Sequence, residues 1–522
     1  MTSAADLGPG FRGGLMVCGT TSDAGKSSVV TGLCRLLSRQ GVRVAPFKAQ
    51  NMANNSYVCP TGHEIGRAQG VQALAAGVDP EVAMNPVLLK PTAERTSQVV
   101  VLGEPIGHLS AAEYHERKPQ LLPLVLDALA DLRSRFDVVL VEGAGSPTEI
   151  NLLANDIVNL RVAHEAGLPA IVVGDIDRGG VFAALYGTVA LLPEHYRRLV
   201  RGFVVNKLRG DPALLLDGCA QLEAACGVPT LGVLPWIHDI ALDAEDSLAL
   251  DGRRPRPAGD GRARGDELDV AVLRFPRLSN FTDLDALSIE PGVGVRFVTR
   301  PAELGRPDLV VLPGSKATLA DLAWLRERGF DRAVAELAAV DRGPTVLGLC
   351  GGYQMLGSTV ADPDGVEAAR PASVPGLGLL DVRTTFVAAK VTRPRRGTAM
   401  AQPVAGYEIH HGRSERGPGA DAWVHLDDDR GSEAEGAVAV DRPRVLGTAL
   451  HGLFESDGFR AAFLTEVGRR AGKAFVPAGV SFAAARADQF DRLADLVAAH
   501  VDLDRLASIL TDGAARAPGP VR

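Results

Sequence analysis

The sequence predicts two doubly wound α/β domains, each built on a mainly parallel sheet, and three observations predict them. Short apolar runs that end in Gly, Asp, Glu or Asn alternate with helical periodicities along most of the chain, as expected for repeated βα units. Leu15-Met-Val-Cys-Gly19 runs into a glycine-containing turn and then into Val29, Val30, Leu33, Leu36 and Leu37 at helical spacing. Far downstream, Thr345-Val-Leu-Gly-Leu-Cys350-Gly-Gly-Tyr-Gln-Met-Leu-Gly357 repeats strand, sharp turn and helix, with a cysteine on the turn.

With 522 residues the chain exceeds one ordinary core. Its expected organisation is a first domain over 1–250, a linker over 251–267, a second domain over 268–465 and a helical tail over 466–522. The linker expectation rests on Gly, Pro and charge without periodicity from Asp251 to Gly265. Hydrophobic residues make up 46%, with no apolar run long enough to span a bilayer. Met1 to Gly14 holds no apolar signal core, and six cysteines lie scattered without metal-site spacing or a disulfide framework. Both features point to the cytoplasm. A net charge of -8 gives no basic footprint, so the expected partners are small molecules, with no nucleic acid, membrane or obligatory protein partner.

In the first half, Gly19-Thr-Thr-Ser-Asp-Ala-Gly25-Lys26-Ser27 joins strand to helix. Gly25, Lys26 and Ser27 supply backbone N–H groups, a point charge for the β- and γ-phosphates of ATP and a hydroxyl for Mg²⁺. Val42-Arg-Val-Ala-Pro-Phe47 is the next strand and leads into Lys48-Ala-Gln-Asn-Met-Ala-Asn-Asn-Ser-Tyr57, dense in amides. Open α/β sheets bind ligands at such strand ends, so Lys48, Asn51 and Asn54 are candidate substrate contacts, although amide-rich loops also simply make turns. Phe136 to Gly145 is a buried strand with Glu142 at its polar end, placed like a Walker-B acid to share Mg²⁺ with Ser27. Ala170 to Gly180 repeats the design, and Arg178 can clamp an anionic group. Asn206 ends the strand that begins at Gly202, where an amide can read an adenine edge.

In the second half, Leu268 to Phe275, Val293 to Val298 and Asp308 to Gly314 read as strands, interleaved with helical patterns such as Leu319 to Ala338. Gly348 and Gly352 flank Cys350 as G-x-C-x-G, the thiol form of a nucleophile elbow, whose small neighbours tolerate a strained turn. The following helix N-terminus favours thiolate. His451, at the polar end of Val445-Leu-Gly-Thr-Ala-Leu-His451, is the candidate base. Backbone N–H groups at Gly314-Ser315 and at Gly351 are the candidate oxyanion hole. Helical segments over Phe459 to Gly472 and Ala483 to Leu510 close the chain, the second with Phe490, Leu493, Val497 and Val501 on one face.

The first half resembles the dethiobiotin synthetase-like branch of P-loop proteins and, over residues 15 to 236, the synthetase half of the cobyric acid synthase family. The resemblance is carried by the phosphate loop, Pro46 to Tyr57, Glu64 to Gln69, Met84 to Pro91, Glu142 to Pro147 and Gly174 to Gly180. The second half resembles a flavodoxin-like class I glutamine amidotransferase of the same family, through Leu312 to Lys316, Gly348 to Gly357, Gly406 to Gly412 and His451 to Glu455. The wider class usually carries an acid two positions after its histidine. Leu453 stands there, which leaves two readings, Glu455 orienting His451 or a dyad.

The resemblance implies a glutamine-hydrolysing ligase that uses ATP and Mg²⁺ to amidate the b, d, e and g carboxylates of adenosylcobyrinic acid a,c-diamide, giving adenosylcobyric acid in cobalamin biosynthesis. Three other readings compete. A cobyrinic acid a,c-diamide synthase shares the plan, and Gln50-Asn51 with Asn54-Asn55 argues against it. A MinD-like partitioning ATPase would carry a second lysine where Thr20, Thr21 and Ser22 stand. An inactive amidotransferase scaffold would not need to keep both Cys350 and His451.

Overall fold

A computed structural model describes residues 11–237, 265–368, 370–428 and 431–512; the expected linker lies outside the described residues up to position 264. The chain forms two compact units, one of Met1–Met52, His63–Ala241 and Ala487–Arg522, the other of Ala53–Gly62 and Leu242–Arg486.

In the first unit the main sheet runs Thr230–Pro235, Val200–Leu208, Ala170–Asp175, Gly13–Gly19, Val138–Glu142, Val44–Phe47. Every neighbouring pair is parallel. Val138–Glu142 is buried at all five positions, as a strand covered on both faces must be. Val29, Val30 and Leu33 of the helix Lys26–Arg39 fill one face; Val125 and Leu129 of Ala111–Arg135 and Leu185 of Val181–Leu191 fill the other. Gln50–Met52, Val87–Ala93, Thr96–Val101 and Glu104–Ser110 form a smaller sheet.

The tail expected over 466–522 is divided. From Ala487 onward it belongs to the first unit, where Phe490, Ala494, Val497 and Val501 join the Lys26–Arg39 face of the core. A Cβ on Gly32 would lie 2.7 Å from Leu493 O, so the glycine lets the two helices approach. Asp457–Arg470 stays with the second unit.

The second unit holds a seven-stranded sheet in the order Val293–Val298, Leu268–Leu273, Leu309–Leu312, Thr345–Leu349, Val445–Thr448, Ala437–Ala439, Ala420–Asp421. The first five strands are mutually parallel and the last two pairings antiparallel. The helix read over Leu319 to Ala338 is two helices, Thr318–Glu327 and Phe330–Ala339, because Gly329 takes φ 79° and breaks the run. A long antiparallel hairpin, Val382–Ala399 with Gln402–Arg416, belongs to a further sheet and carries the Gly406 to Gly412 motif. No helix among the described residues is long and apolar enough to cross a membrane.

Candidate active site

Cys350 sits between the strand Thr345–Leu349 and the helix Gly351–Leu356 with φ 47° and ψ -106°, a conformation that a side chain adopts only when its surroundings enforce it. Its neighbours have no room for a side chain. A Cβ on Gly352 would fall 1.9 Å from Leu312 O, and one on Gly348 would fall 2.6 Å from Tyr353 N. The elbow is therefore built by close backbone packing, and Cys350 as a residue is 7% exposed.

His451 and Cys350 stand close enough for each to act on the charge of the other. Burial alone would push the thiol up and the imidazole down, but each partner favours the charged form of the other, and Asp283 adds to the effect on the ring. The result is a lowered thiol and a raised imidazole, each group favouring charge on the other. Cys18 and Cys34 contrast with this: burial pushes Cys18 up to about 12 and raises Cys34 further, which disfavours their thiolates. A second histidine, His410, also favours the Cys350 thiolate; it bonds Gly412 O at 2.7 Å and Glu408 Oε1 at 3.4 Å. The sequence placed it only within the Gly406 to Gly412 motif.

Asp283 completes the site, and sequence reasoning missed it. Its Oδ2 lies 2.6 Å from His451 Nδ1, while its Oδ1 accepts from Gly452 N at 2.8 Å. The acid stands on the short turn Phe281–Leu284, capped by Asn280 at φ 51° and ψ 37°. Asparagine is among the few residues that take this left-handed conformation readily. Glu455, the acid considered from sequence, meets Arg486 at 3.1 Å, and the carboxylate beside His451 is that of Asp283. The His451 backbone is pinned by a reciprocal bridge, N to Tyr407 O at 2.9 Å and O from Tyr407 N at 3.0 Å. The Tyr407 ring stacks on the imidazole with centroids 5.3 Å apart.

A Cβ on Gly314 would lie 3.2 Å from His451 Cε1, and one on Gly351 would lie 2.9 Å from Ser315 N. The two backbone segments read as an oxyanion hole thus lie together, beside His451.

In the first unit, Gly25 takes φ 100° just before the helix Lys26–Arg39. Lys26 Nζ spans the loop, donating to Thr21 O at 3.0 Å and Gly145 O at 3.1 Å. Ser27 Oγ donates to Glu142 Oε1 at 2.9 Å, Lys48 Nζ reaches the same oxygen at 2.8 Å, and Gln72 Nε2 donates to Oε2 at 2.5 Å. Burial favours a neutral Glu142, yet Lys48, Gln72 and Lys26 hold its carboxyl low. Ser27 and Glu142 thus bring two hard oxygen donors together beside the phosphate loop, a donor set that fits Mg²⁺.

The candidate substrate residues have separate fates. Lys48 belongs to the Glu142 cluster. Asn51 donates to Gln69 Oε1 at 3.0 Å and accepts from Met52 N at 2.8 Å, both bonds within the fold. Asn54 falls in the second unit, where its carbonyl accepts from Ser279 Oγ at 2.8 Å. Arg178 is exposed and meets Asp23 at 3.3 Å and Asp175 at 3.6 Å. Asn206 Nδ2 donates to Ala24 O at 3.0 Å, so one donor of the amide read as facing adenine braces the phosphate loop.

Residues 15–249 match the CobQ/CobB/MinD/ParA nucleotide binding domain, and residues 269–459 match the CobB/CobQ-like glutamine amidotransferase domain. The chain is 54% identical to the cobyric acid synthase of Mycolicibacterium vanbaalenii, over 94% of this chain and 96% of that protein. It is 53% identical to the cobyric acid synthase of Rhodococcus jostii, over 97% and 96%. The Streptomyces coelicolor cobyric acid synthase is also 53% identical, with 97% of each chain covered. A phosphate loop with its carboxylate and a buried Cys–His–Asp triad therefore lie within two matched domains of one chain, and the chain belongs to the cobyric acid synthase family.

Proposed function

We propose that this chain is an ATP- and glutamine-dependent ligase that amidates the b, d, e and g carboxylates of adenosylcobyrinic acid a,c-diamide in cobalamin biosynthesis. The observation that carries it is the pairing of an ammonia-releasing triad with a phosphate-holding cluster on one chain, at this level of identity to cobyric acid synthases.

The Cys350 thiolate attacks the glutamine amide carbon, and the oxyanion is met by N–H groups at Gly314-Ser315 and Gly351. His451 gives its proton to the leaving nitrogen, so a thioester forms and ammonia departs. Water, deprotonated by His451, then releases glutamate. Asp283 holds the ring through Nδ1 and steadies its charge. In the first unit, Lys26 and the loop N–H groups hold the phosphates of ATP while a substrate carboxylate oxygen attacks the γ-phosphoryl group. ADP departs, ammonia attacks the carbonyl carbon of the resulting acyl phosphate, and phosphate leaves as the nitrogen loses a proton, giving the amide. Ser27 and Glu142 would hold Mg²⁺, which would neutralise phosphate charge. Asn206 is proposed to brace the loop and to offer its remaining polar atoms to adenine, and exposed Arg178 to meet a substrate carboxylate. Six free, buried cysteines support a cytoplasmic setting.

The test is a choice of acceptor. Incubation with ATP, Mg²⁺, glutamine and either cobyrinic acid or its a,c-diamide, followed by mass spectrometry, should show amidation of the diamide. Amidation confined to positions a and c of cobyrinic acid would assign the chain to the sister synthase instead.

A further inference from the structure

The backbone N–H of Ser56 donates to Asn280 Oδ1 at 2.9 Å, and Asn280 Nδ2 lies 3.3 Å from His451 Nε2. All three residues are almost fully buried. Around them, Ser279 Oγ donates to Asn54 O, the Tyr407 hydroxyl reaches Ser56 O at 3.5 Å, and Val58 packs against Tyr407 and Ile409. The segment 53–62 thus touches groups that hold the catalytic histidine, although it arises from the first half of the sequence.

A backbone N–H can only donate, so Ser56 fixes the amide orientation: Oδ1 faces Ser56 and Nδ2 faces His451. That orientation conflicts with the charged site. His451 Nδ1 is committed to Asp283, so in the thiolate–imidazolium pair Nε2 carries a hydrogen. Two N–H donors would then face each other across 3.3 Å. With Nδ2 aimed at it, the Nε2 lone pair that would take the Cys350 proton is engaged by the amide, and the uncharged form of the pair is favoured. If the amide turned over, Oδ1 would accept from Nε2–H and support the ion pair.

We propose that Asn280 is a two-position switch on His451, held in its restraining position by Ser56 and released when segment 53–62 shifts. This inference rests on the proposed function for its purpose. Ser56 lies eight positions after Lys48, which bonds Glu142 beside Ser27. Loading of the phosphate site can act along this short stretch of chain, so that glutamine is spent only when an acceptor is activated. Asn280 is a positioning residue, acting through the ring.

Two full-length variants test it, each checked by thermal melting. Asn280→Gly removes the donor and tolerates the left-handed backbone. Ser56→Pro leaves Asn280 in place but deletes the N–H that orients it. Each should raise glutamate release in the absence of nucleotide and corrinoid about five- to tenfold, the equivalent of losing one restraining hydrogen bond. In Asn280→Gly, the pH profile of iodoacetamide alkylation at Cys350 should move to lower pH. Glutamate release at or below the wild-type level in the folded variants, with an unmoved alkylation profile, overturns the switch. Neither readout involves a corrinoid, so release that rises while no corrinoid is amidated would refute the proposed acceptor and leave the switch standing.

Discussion

Asp283 Oδ2 and His451 Nδ1 lie 2.6 Å apart across 168 positions of sequence, both almost fully buried. A buried histidine with a carboxylate on one nitrogen is held in one tautomer and favours protonation, which is what a base beside a thiol requires. Asp283→Asn should lower glutamine-dependent amidation on the order of 10²–10⁴-fold. Amidation driven by added ammonium should stay near wild type. Assaying product with each nitrogen source checks this, and equal glutamine-driven rates would remove Asp283 from the mechanism.

The charge state of the pair gives a pH prediction. His451 is raised, so its stabilising contribution is full below the ordinary histidine value and is lost as pH rises through the raised value. Cys350 is lowered, so its contribution is present above the ordinary thiol value and is lost as pH falls through the lowered one. The ion pair is confined to the range between the lowered thiol and raised imidazole values. The acid-side fall of Cys350 alkylation should therefore lie below the ordinary thiol value. His451→Ala should move that fall toward ordinary thiol values; an unmoved profile would mean another group activates the thiol.

The two local motifs were legible in sequence because each is a strand, a glycine turn and a helix within a few residues, and such geometry is set by neighbours along the chain. Asp283 was not, since Asn280-Phe-Thr-Asp283 carries no periodicity and only the packing of the turn Phe281–Leu284 brings it to His451. The amide density of Lys48 to Tyr57 signalled a special segment but not its destination, for the chain changes compact unit at Ala53. In the tail, Phe490, Val497 and Val501 were legible as one apolar face; that it covers the Lys26–Arg39 side of the first sheet depends on long-range packing.

Lys26→Ala should lose amidation with glutamine and with ammonium alike, because phosphate binding precedes the use of either nitrogen source. Survival of the ammonium reaction would contradict the role of Lys26.

Glu142→Gln should do more than raise the Mg²⁺ requirement. It leaves Lys48 buried at 7% side-chain exposure without its carboxylate, a loss of roughly 3 kcal/mol in folding stability. A Mg²⁺ titration and a denaturant melt on the one variant should both shift. A shift in neither would remove Glu142 from the cluster.

Asn206→Ala removes the donor to Ala24 O and should weaken ATP binding by about 1–3 kcal/mol. If the amide also meets the base, the preference for ATP over GTP narrows. Dissociation constants for both nucleotides decide this, and weakened binding with intact preference would leave only the bracing role.

The proposed transfer of the glutamine amide nitrogen, freed as ammonia at Cys350, to an ATP-activated carboxylate is tested by supplying glutamine with heavy nitrogen in its amide, together with ATP, Mg²⁺ and the corrinoid diamide. Mass spectrometry of the corrinoid should find heavy nitrogen at b, d, e and g, with one glutamate and one ADP released per amide formed, and no incorporation by Cys350→Ala. Glutamate and ADP released without heavy nitrogen in the corrinoid, or incorporation that survives Cys350→Ala, would contradict it.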